Sequence, residues 1–125
     1  MSAISEVNRF SNNILKIYND NPDAIRIIFE YNLLGGSNIS ITDQNGNNLL
    51  HHVAKNNDNK LLANVLNYIS YVNPKNNMIN QQNNAGDTPM HIAARNGNDN
   101  AAKMLHSAGA SLNIKNNAGE IIEDS

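Results

Sequence analysis

Apolar residues recur along most of the chain at three- and four-residue spacing, the period of helices that bury one face. The N-terminal positions with this spacing are Ile4, Val7, Phe10, Ile14, Ile17 and Tyr18. They predict a long first helix that covers the N-terminal end of the fold. The sequence Asn-Pro-Asp at 21–23 predicts the start of a second helix, with Ile25, Ile28 and Phe29 on its apolar side and Gly35-Gly36 after its end.

A five-residue polar motif with glycine in its fourth place occurs three times in the chain. Its copies are Asp43–Asn47, Asn83–Asp87 and Asn116–Glu120, which start 40 and 33 residues apart. The first two copies are followed by similar blocks, Leu50–Ala54 and Met90–Ala94. Such repetition predicts a stack of similar helical units that bury their apolar faces against one another.

The unit at 83–115 has residues suited to two antiparallel helices. Thr88 suits an N-cap, and Pro89 suits the first helical turn, where a missing N–H is harmless. Ala93 and Ala94 are small, which predicts that the inner helices of neighbouring units pack closely on both of them. Gly97 is expected to break the chain between the helices, and Gly109 to end the second helix in a left-handed conformation.

The unit at 43–82 is a diverged copy. Asn48 stands at the cap position, and Asn57 replaces the glycine between the helices, which asparagine can do because it tolerates positive φ. This unit is seven residues longer than the next one. We expect the surplus at 68–78, as a loop around Pro74–Asn77 and as an extension of the second helix.

A resemblance to the ankyrin repeat is carried by the motif GDTPMHIAARNG at 86–97, followed by Lys103–Leu105, Ala108–Ala110 and Asn113. It implies an all-α ankyrin-repeat solenoid, in which stacked helix-turn-helix units are joined by short β-hairpin loops. One domain, 1–125, would then have four parts. These are an N-terminal helical cap with a degenerate repeat at 1–42, a repeat with a seven-residue insertion at 43–82, a consensus-like repeat at 83–115 and a truncated repeat at 116–125.

Composition narrows the function. The net charge is -2 and charged residues make up 16%, so no basic field would attract nucleic acid or an anionic membrane surface. The chain has no cysteine, which removes thiolate metal ligands and thiol nucleophiles. Its first residues lack the apolar run and cleavage site of a signal peptide. We therefore expect an intracellular protein, cytoplasmic or nuclear or both, that binds neither nucleic acid nor membrane directly.

Candidate chemistry is sparse. His51 and His91 occupy equivalent positions, where the resemblance implies hydrogen bonding within and between units. A metal pair is the alternative, but no carboxylate stands at ligand spacing beside them. Ser107 follows His106 directly, so a helix would point the two side chains apart. We expect no catalytic residue, no metal and no cofactor, and the chain is not predicted to be an enzyme.

The resemblance implies non-catalytic binding of another protein through a concave surface made of the polar motifs and the inner helices. Binding would inhibit or mask the partner. We expect polar positions on this surface to contribute little to folding and to be free for recognition. Tyr68 and Tyr71 beside the insertion are expected either to act as aromatic anchors or to pack under the loop. The candidate protein-binding residues are Gln44, Asn45, Asn47, Lys55, Asn56, Tyr68, Asn84, Asp87, Arg95, Asn96, Asn117 and Glu120.

Two alternatives remain at this stage. A structural or self-associating module would dimerise by stacking its ends, and Ala101-Ala102 in place of Leu61-Leu62 would allow a close approach. The other alternative is an IκB-like inhibitor of a Rel/NF-κB-type transcription factor. Ile79–Asn84 is similar to a stretch in short ankyrin inhibitors of some insect and large DNA viruses, and a similar layout occurs in fungal cell-cycle transcription regulators. We expect a monomer, with a homodimer as the alternative.

Overall fold

The computed structural model describes residues 14–31, 39–72 and 77–122, and within these ranges the chain is helical with no β-strand. A 3₁₀ turn at Met78–Asn80 precedes the last helix pair. The six α-helices are α1 (Ile14–Asp20), α2 (Pro22–Glu30), α3 (Leu49–Asn56), α4 (Asn59–Val72), α5 (Pro89–Arg95) and α6 (Asp99–Ser107). The apolar positions predicted at 4–10, the Gly35-Gly36 pair and most of the loop predicted at 74–77 lie outside the described residues.

The helices form two layers. Each inner helix packs on the outer helix that follows it in the chain, so that α1 pairs with α2, α3 with α4 and α5 with α6. Across units, α3 packs on α5 in the inner layer, while α4 lies between α2 and α6 in the outer layer. Neighbouring units therefore bury each other's apolar faces, as the repetition in the sequence predicts.

Most of the fully buried apolar side chains of the described residues lie in the unit at 43–82. Its fully buried aliphatic side chains are Leu49, Leu50, Val53, Leu61, Leu62 and Val65. Burying an aliphatic side chain of this size contributes about 1.5–3 kcal/mol, so this unit supplies much of the driving force for folding. Ala101 is also fully buried, at the position that corresponds to Leu61.

The inner helices start with reciprocal caps. The Asn48 side chain accepts a hydrogen bond from the backbone N–H of His51, and the His51 ring accepts one from the backbone N–H of Asn48. Thr88 and His91 repeat this arrangement at the start of α5, where Pro89 is the first residue of the helix. Both predicted N-caps are confirmed.

The turns between paired helices follow the sequence prediction. Asn57 has φ +56° where the next unit has Gly97 with φ +69°, so asparagine does take over the left-handed position. Part of the predicted surplus extends a helix, because α4 has 14 residues where α6 has 9. Gly109, with φ +105°, follows the end of α6 as expected.

One packing expectation is wrong. Ala54 and Ala93 are fully buried, but Ala94, which corresponds to Ala54, is exposed. The reason is the position of α5 in the stack: Ala54 faces the following unit, whereas no described helix packs on the corresponding side of α5. The small side chain of Ala94 therefore lies at an open end.

Candidate protein-binding face

The three polar motifs form turns of the same shape, which we call the first tip (Asp43–Asn47), the second tip (Asn83–Asp87) and the third tip (Asn116–Glu120). In each tip, a side-chain oxygen of the first residue accepts hydrogen bonds from the backbone N–H groups of the third and fifth residues at 2.9–3.1 Å. The glycine in fourth place has φ of +79° or +80°. These tips stand where the sequence predicts short hairpins, and each has asparagine or aspartate in first place and glycine in fourth place.

Backbone and amide hydrogen bonds join neighbouring tips. The backbone N–H of Asn84 donates to the Asn45 carbonyl at 2.9 Å, and its side-chain amide donates to the Gln44 carbonyl at 3.0 Å. Asn117 repeats both bonds one unit later, to the carbonyls of Ala85 and Asn84 at 3.0 and 2.9 Å. The tips thus form a continuous edge in which polar groups are held in fixed places.

A second line of bonds runs through the first and last residues of the tips. The Asn83 amide donates to the Asn47 side-chain oxygen at 2.8 Å. The Asn116 amide makes the equivalent bond to the Asp87 carboxylate at 2.9 Å and a further bond to Glu120 at 2.8 Å. Asparagine can do this because one side chain both accepts within its own tip and donates to its neighbour.

Asp87 connects the second tip to α5. Its carboxylate is almost fully buried and accepts two hydrogen bonds from the Arg95 guanidinium, at 2.9 and 3.0 Å. The Arg95 guanidinium, together with the Asn116 amide, holds the pKa of the Asp87 carboxyl below its usual value. Arg95 also lies 3.7 Å from the Glu120 carboxylate, so one cation links two tips.

The histidines bridge units through their rings. The Nε2–H group of His51 donates to the Asp87 carbonyl at 2.8 Å, and that of His91 donates to the Glu120 carbonyl at 3.0 Å. Because Nδ1 of each ring accepts from a cap N–H group, both rings fit their neutral form with the proton on Nε2. Burial lowers the pKa of His51. The predicted hydrogen-bonding role of both histidines is confirmed.

These contacts correct the expectation that polar positions on this side contribute little to folding. It is wrong for Asn47, Asn84, Asp87 and Asn117, whose side chains join neighbouring units. The physical reason is that units stack with their tips in contact, so a polar tip residue meets the next tip before it meets solvent.

The remaining candidates on the inner helices are exposed. Lys55 projects from α3. The Asn56 amide donates to the Tyr18 hydroxyl at 2.7 Å, and the Asn96 amide donates to the Ile92 carbonyl at 2.8 Å, where it closes the end of α5. The amide groups of Asn56 and Asn96 are therefore held by contacts within the chain.

Tyr68 lies apart from the other candidates, in the outer layer on α4. It is half-buried, and its ring meets the Phe29 ring edge-on with 5.4 Å between centroids. Burial raises the pKa of its hydroxyl. The structure thus brings eleven of the twelve candidate residues to the side of the tips and inner helices, and Tyr68 to the opposite layer.

At the N-terminal part of this side lies a polar cluster that was not predicted from the sequence. His52 Nε2 lies 2.9 Å from the Asp43 carboxylate, and the His52 ring lies beside the Tyr18 ring, with 6.3 Å between centroids. Hydrogen bonds from the tip outweigh burial and lower the pKa of Asp43. The available signal was that His52 stands where the next unit has Ile92, a polar residue at an otherwise apolar position.

Two further observations on the described residues concern metal binding and membrane crossing. Among them, no group of three histidine, aspartate or glutamate side chains is placed to hold a metal ion. None of the helices within the described ranges is long and apolar enough to cross a membrane.

The stacked helix pairs, the polar tips and the bridging histidines define a repeat protein. The ankyrin-repeat pattern matches residues 14–116 as three copies, and the chain belongs to the ankyrin-repeat family. The all-α ankyrin solenoid predicted from the sequence is thereby confirmed. Ankyrin repeats are generally protein–protein interaction modules and are typically not enzymes.

The proteins to which this chain is similar are much longer than the chain. Alpha-latrotoxin-Lhe1a of Latrodectus hesperus is 30% identical over 120 residues, which cover 90% of this chain and 8% of the toxin. Alpha-latrotoxin-Lh1a of Latrodectus hasselti is 28% identical with the same coverage. Start control protein cdc10 of Schizosaccharomyces pombe is 51% identical over 43 residues, 34% of this chain and 6% of that protein. The chain spans less than a tenth of the length of these relatives.

Proposed function

We propose that the chain is a non-catalytic module that binds another protein through its inner face, which we define as the three tips together with the exposed sides of α3 and α5. The supporting observation is a row of exposed polar side chains held in place by the stack. Asn84 and Asn117 are exposed, yet their amides are fixed by the carbonyls of the preceding tips. Groups fixed in this way lose little conformational entropy when a partner binds them.

The chemistry of the inner face favours a polar partner surface. Amide groups make up most of the row, and its charged members are Lys55 on α3, Arg95 on α5 and Glu120 at the third tip. Because Arg95 is paired with Asp87, the cation of Lys55 and the anion of Glu120 give the face opposite charges in different units. We expect the partner to present hydrogen-bonding groups and a complementary arrangement of charge.

Masking is the simplest consequence of such binding. A partner that lies across the tips and the inner helices has the corresponding part of its own surface covered. We propose that this covering inhibits the partner, since the chain itself brings no catalytic group to it.

The narrower hypothesis of a Rel/NF-κB-type target rests on the segment Ile79–Asn84. In this segment, the Asn80 side chain accepts a bond from the Ser111 backbone, and the Gln82 amide donates to the carbonyls of Gly86 and Lys115. These contacts serve the stack itself. The polar residues of this segment are therefore explained by their contacts within the fold, and the geometry favours no particular transcription factor.

The self-associating alternative rested on Ala101 and Ala102. Ala101 is fully buried inside its own stack and Ala102 is half-buried. These alanines therefore belong to the packing between described helices. Because Ala101 is not accessible to a second copy, we propose that the chain binds its partner as a monomer.

The proposed function is tested with two matched double variants. Gln44→Ala with Lys55→Glu changes exposed residues of the inner face, whereas Asn67→Ala with Lys60→Glu makes the same type of change on the exposed side of α4. Affinity capture from cells that encode the chain, followed by mass spectrometry, identifies bound proteins for the unchanged chain and both variants. We expect the first variant to lose at least about tenfold in affinity, or 1.4 kcal/mol, and the second to bind normally.

Thermal melting of both variants provides the control for folding, and we expect midpoints equal to that of the unchanged chain. The proposal is wrong if a partner binds both variants equally well, or if only the α4 variant loses binding.

A further inference from the structure

The three tips differ in their third residue. Asn45 fills this place in the first tip, where the second and third tips have Ala85 and Ala118. Because glycine follows in every tip, the pair Asn-Gly occurs in the first tip alone. The sequence contains one further Asn-Gly pair, Asn96-Gly97, at the end of α5. The structure holds these two pairs differently.

Asparagine is a chemically labile residue, and a following glycine opens it to an intramolecular reaction. The glycine nitrogen attacks the side-chain amide carbon, a new C–N bond closes a succinimide ring, and the side-chain nitrogen leaves as ammonia with the proton of the attacking N–H group. Glycine favours this step because it has no Cβ to hinder the approach and its backbone turns freely. Water then opens the ring at either carbonyl and leaves aspartate or isoaspartate.

The Asn45 side chain is free to react. It is exposed, and its amide has no hydrogen-bond partner within the described parts of the chain. Ala85 is exposed as well, although its tip has a neighbour on either side, so exposure of the third place does not depend on the chain ends. The Gly46 N–H group donates to the Asp43 carbonyl at 3.0 Å. Exposed turns open locally at a small free-energy cost, and brief opening of the first tip releases this nitrogen.

Asn96 is held more firmly. Its side-chain amide donates to the Ile92 carbonyl at 2.8 Å, and its backbone N–H group donates to the same carbonyl at 3.1 Å. The Gly97 N–H group donates to the Ala94 carbonyl at 3.2 Å. Attack at Asn96 therefore requires a side-chain bond to break in addition to the glycine bond, which is present in both pairs.

We propose that Asn45 is a site of spontaneous deamidation, and that its isoaspartate product opens the junction between the first and second tips. At present the Asn45 carbonyl accepts from the Asn84 N–H group at 2.9 Å. In isoaspartate, the main chain runs through the former side chain, so it gains a methylene group and this carbonyl becomes a free carboxylate. Space for the longer chain is absent, because even a Cβ added to Gly46 would lie 3.0 Å from the Asn84 nitrogen.

The aspartate product changes the charge alone. Its main chain is that of asparagine, so the bond from Asn84 remains. Both products place a second carboxylate in the first tip, next to Asp43, which accepts from the backbone N–H group of residue 45. Asn45→Asp reproduces this charge without lengthening the main chain. Asn45→Ala removes the reactive amide and gives the first tip the residue that the other two tips have.

The site is tested by incubating the folded chain at mildly alkaline pH and following both asparagines by peptide mapping and mass spectrometry. We expect Asn45 to convert at least about fivefold faster than Asn96, the factor that corresponds to one additional hydrogen bond. In urea that unfolds the chain, the two should convert at similar rates, because each is followed by glycine and then asparagine.

The effect on the junction is tested on the aged chain. Ion exchange separates deamidated from unchanged chain, and an isoaspartate methyltransferase supplied with S-adenosylmethionine measures isoaspartate. We expect the urea midpoint of the isoaspartate form to fall by roughly 0.5–1 M, and that of Asn45→Asp to fall by less than half as much. Asn45→Ala should keep the midpoint of the unchanged chain and form far less isoaspartate.

Equal conversion of Asn45 and Asn96 in the folded chain would overturn the assignment of the site. So would an Asn45→Ala chain that accumulates as much isoaspartate as the unchanged chain. If the isoaspartate form and Asn45→Asp unfold at the same midpoint, the added charge explains the effect and the proposed opening of the junction is wrong.

Discussion

Asparagine supports the tips because its side chain both donates and accepts. Asn83 and Asn116 each cap their own tip through oxygen and hold the preceding tip through nitrogen. Asp43 accepts within its own tip and binds His52, but its carboxylate has no N–H group to donate to another tip. At these positions asparagine therefore has a structural role that aspartate, which lacks the amide donor, does not fill equally well.

Replacing asparagine by aspartate should cost different amounts in the two tips. In Asn116→Asp, the two bonds that the amide donates to Asp87 and Glu120 are lost, and the new carboxylate lies beside both of their carboxylates, so we expect a loss of about 2–3 kcal/mol at pH 7. In Asn83→Asp, the neighbour is the neutral amide of Asn47, which can turn to donate, and we expect a loss under about 1 kcal/mol. Urea denaturation of both variants measures the difference, and equal losses would contradict this account.

The buried ring of His51 should make stability depend on pH. Its pKa is lowered in the folded chain because burial disfavours the charged form, so the unfolded state binds the extra proton first. The unfolding free energy should be constant above the unfolded pKa of about 6.5 and decrease below it, by up to about 1.4 kcal/mol per pH unit. Denaturation between pH 7.5 and 5 measures this slope.

Two variants test whether the pH dependence of the unfolding free energy comes from the His51 ring. His51→Gln should lose this part of the pH dependence, while His106→Gln, at an exposed position on α6, should retain it. If His51→Gln keeps the full slope, another group is responsible.

At the scale of the structural element, a tip is formed by hydrogen bonds between residues that are close in sequence, and it then packs against the neighbouring tip. The caps at Asn48 and Thr88 and the turn at Asn57 could be predicted from the sequence, because each depends on residues within three positions. The bond from Asn98 to Ala54 spans 44 residues, and it could not be predicted because it depends on how the units stack. Exposure of Ala94 was missed for the same reason.

Alanine substitutions of the tip glycines separate the cost of backbone strain from the cost of a clash with the neighbouring tip. Gly119→Ala should cost about 1 kcal/mol, since only the positive φ opposes the new side chain. Gly86→Ala should cost about 3 kcal/mol, because its Cβ also collides with the Asn117 backbone. Urea midpoints of the two variants measure the difference. Similar losses would show that contact between tips adds little.

At the scale of the whole molecule, stability depends on contacts between neighbouring units. The unit at 43–82 lies between two others, and α4 packs on both α2 and α6. The positions of the three tips could be predicted from the offsets in the sequence. The position of Tyr68 in the outer layer could not be predicted, because the seven extra residues of this unit left open which side of α4 faces Phe29.

Damage to the middle unit should therefore destabilise the entire stack in one step. Leu61→Ala removes a fully buried side chain, and we expect a loss of about 2–5 kcal/mol with a single cooperative transition. Lys60→Ala, next to it and exposed, should change stability by less than about 0.5 kcal/mol. Circular dichroism of the helices and of the tyrosines should give coincident curves, and two separate transitions would contradict this coupling.

The second and third tips each donate hydrogen bonds to the tip before them, and this direction also governs how such a chain can change its length. The third tip repeats the donors of the second, so removal of 33 residues would let Asn117 meet Gln44 and Asn45 as Asn84 does now. Insertion of another 33 residues would recreate the same junction twice. Genetic duplication or loss of whole units therefore leaves these joins chemically intact. The seven extra residues of the unit at 43–82 lie outside the tips and leave them intact as well, whereas a change of length within a tip would break them.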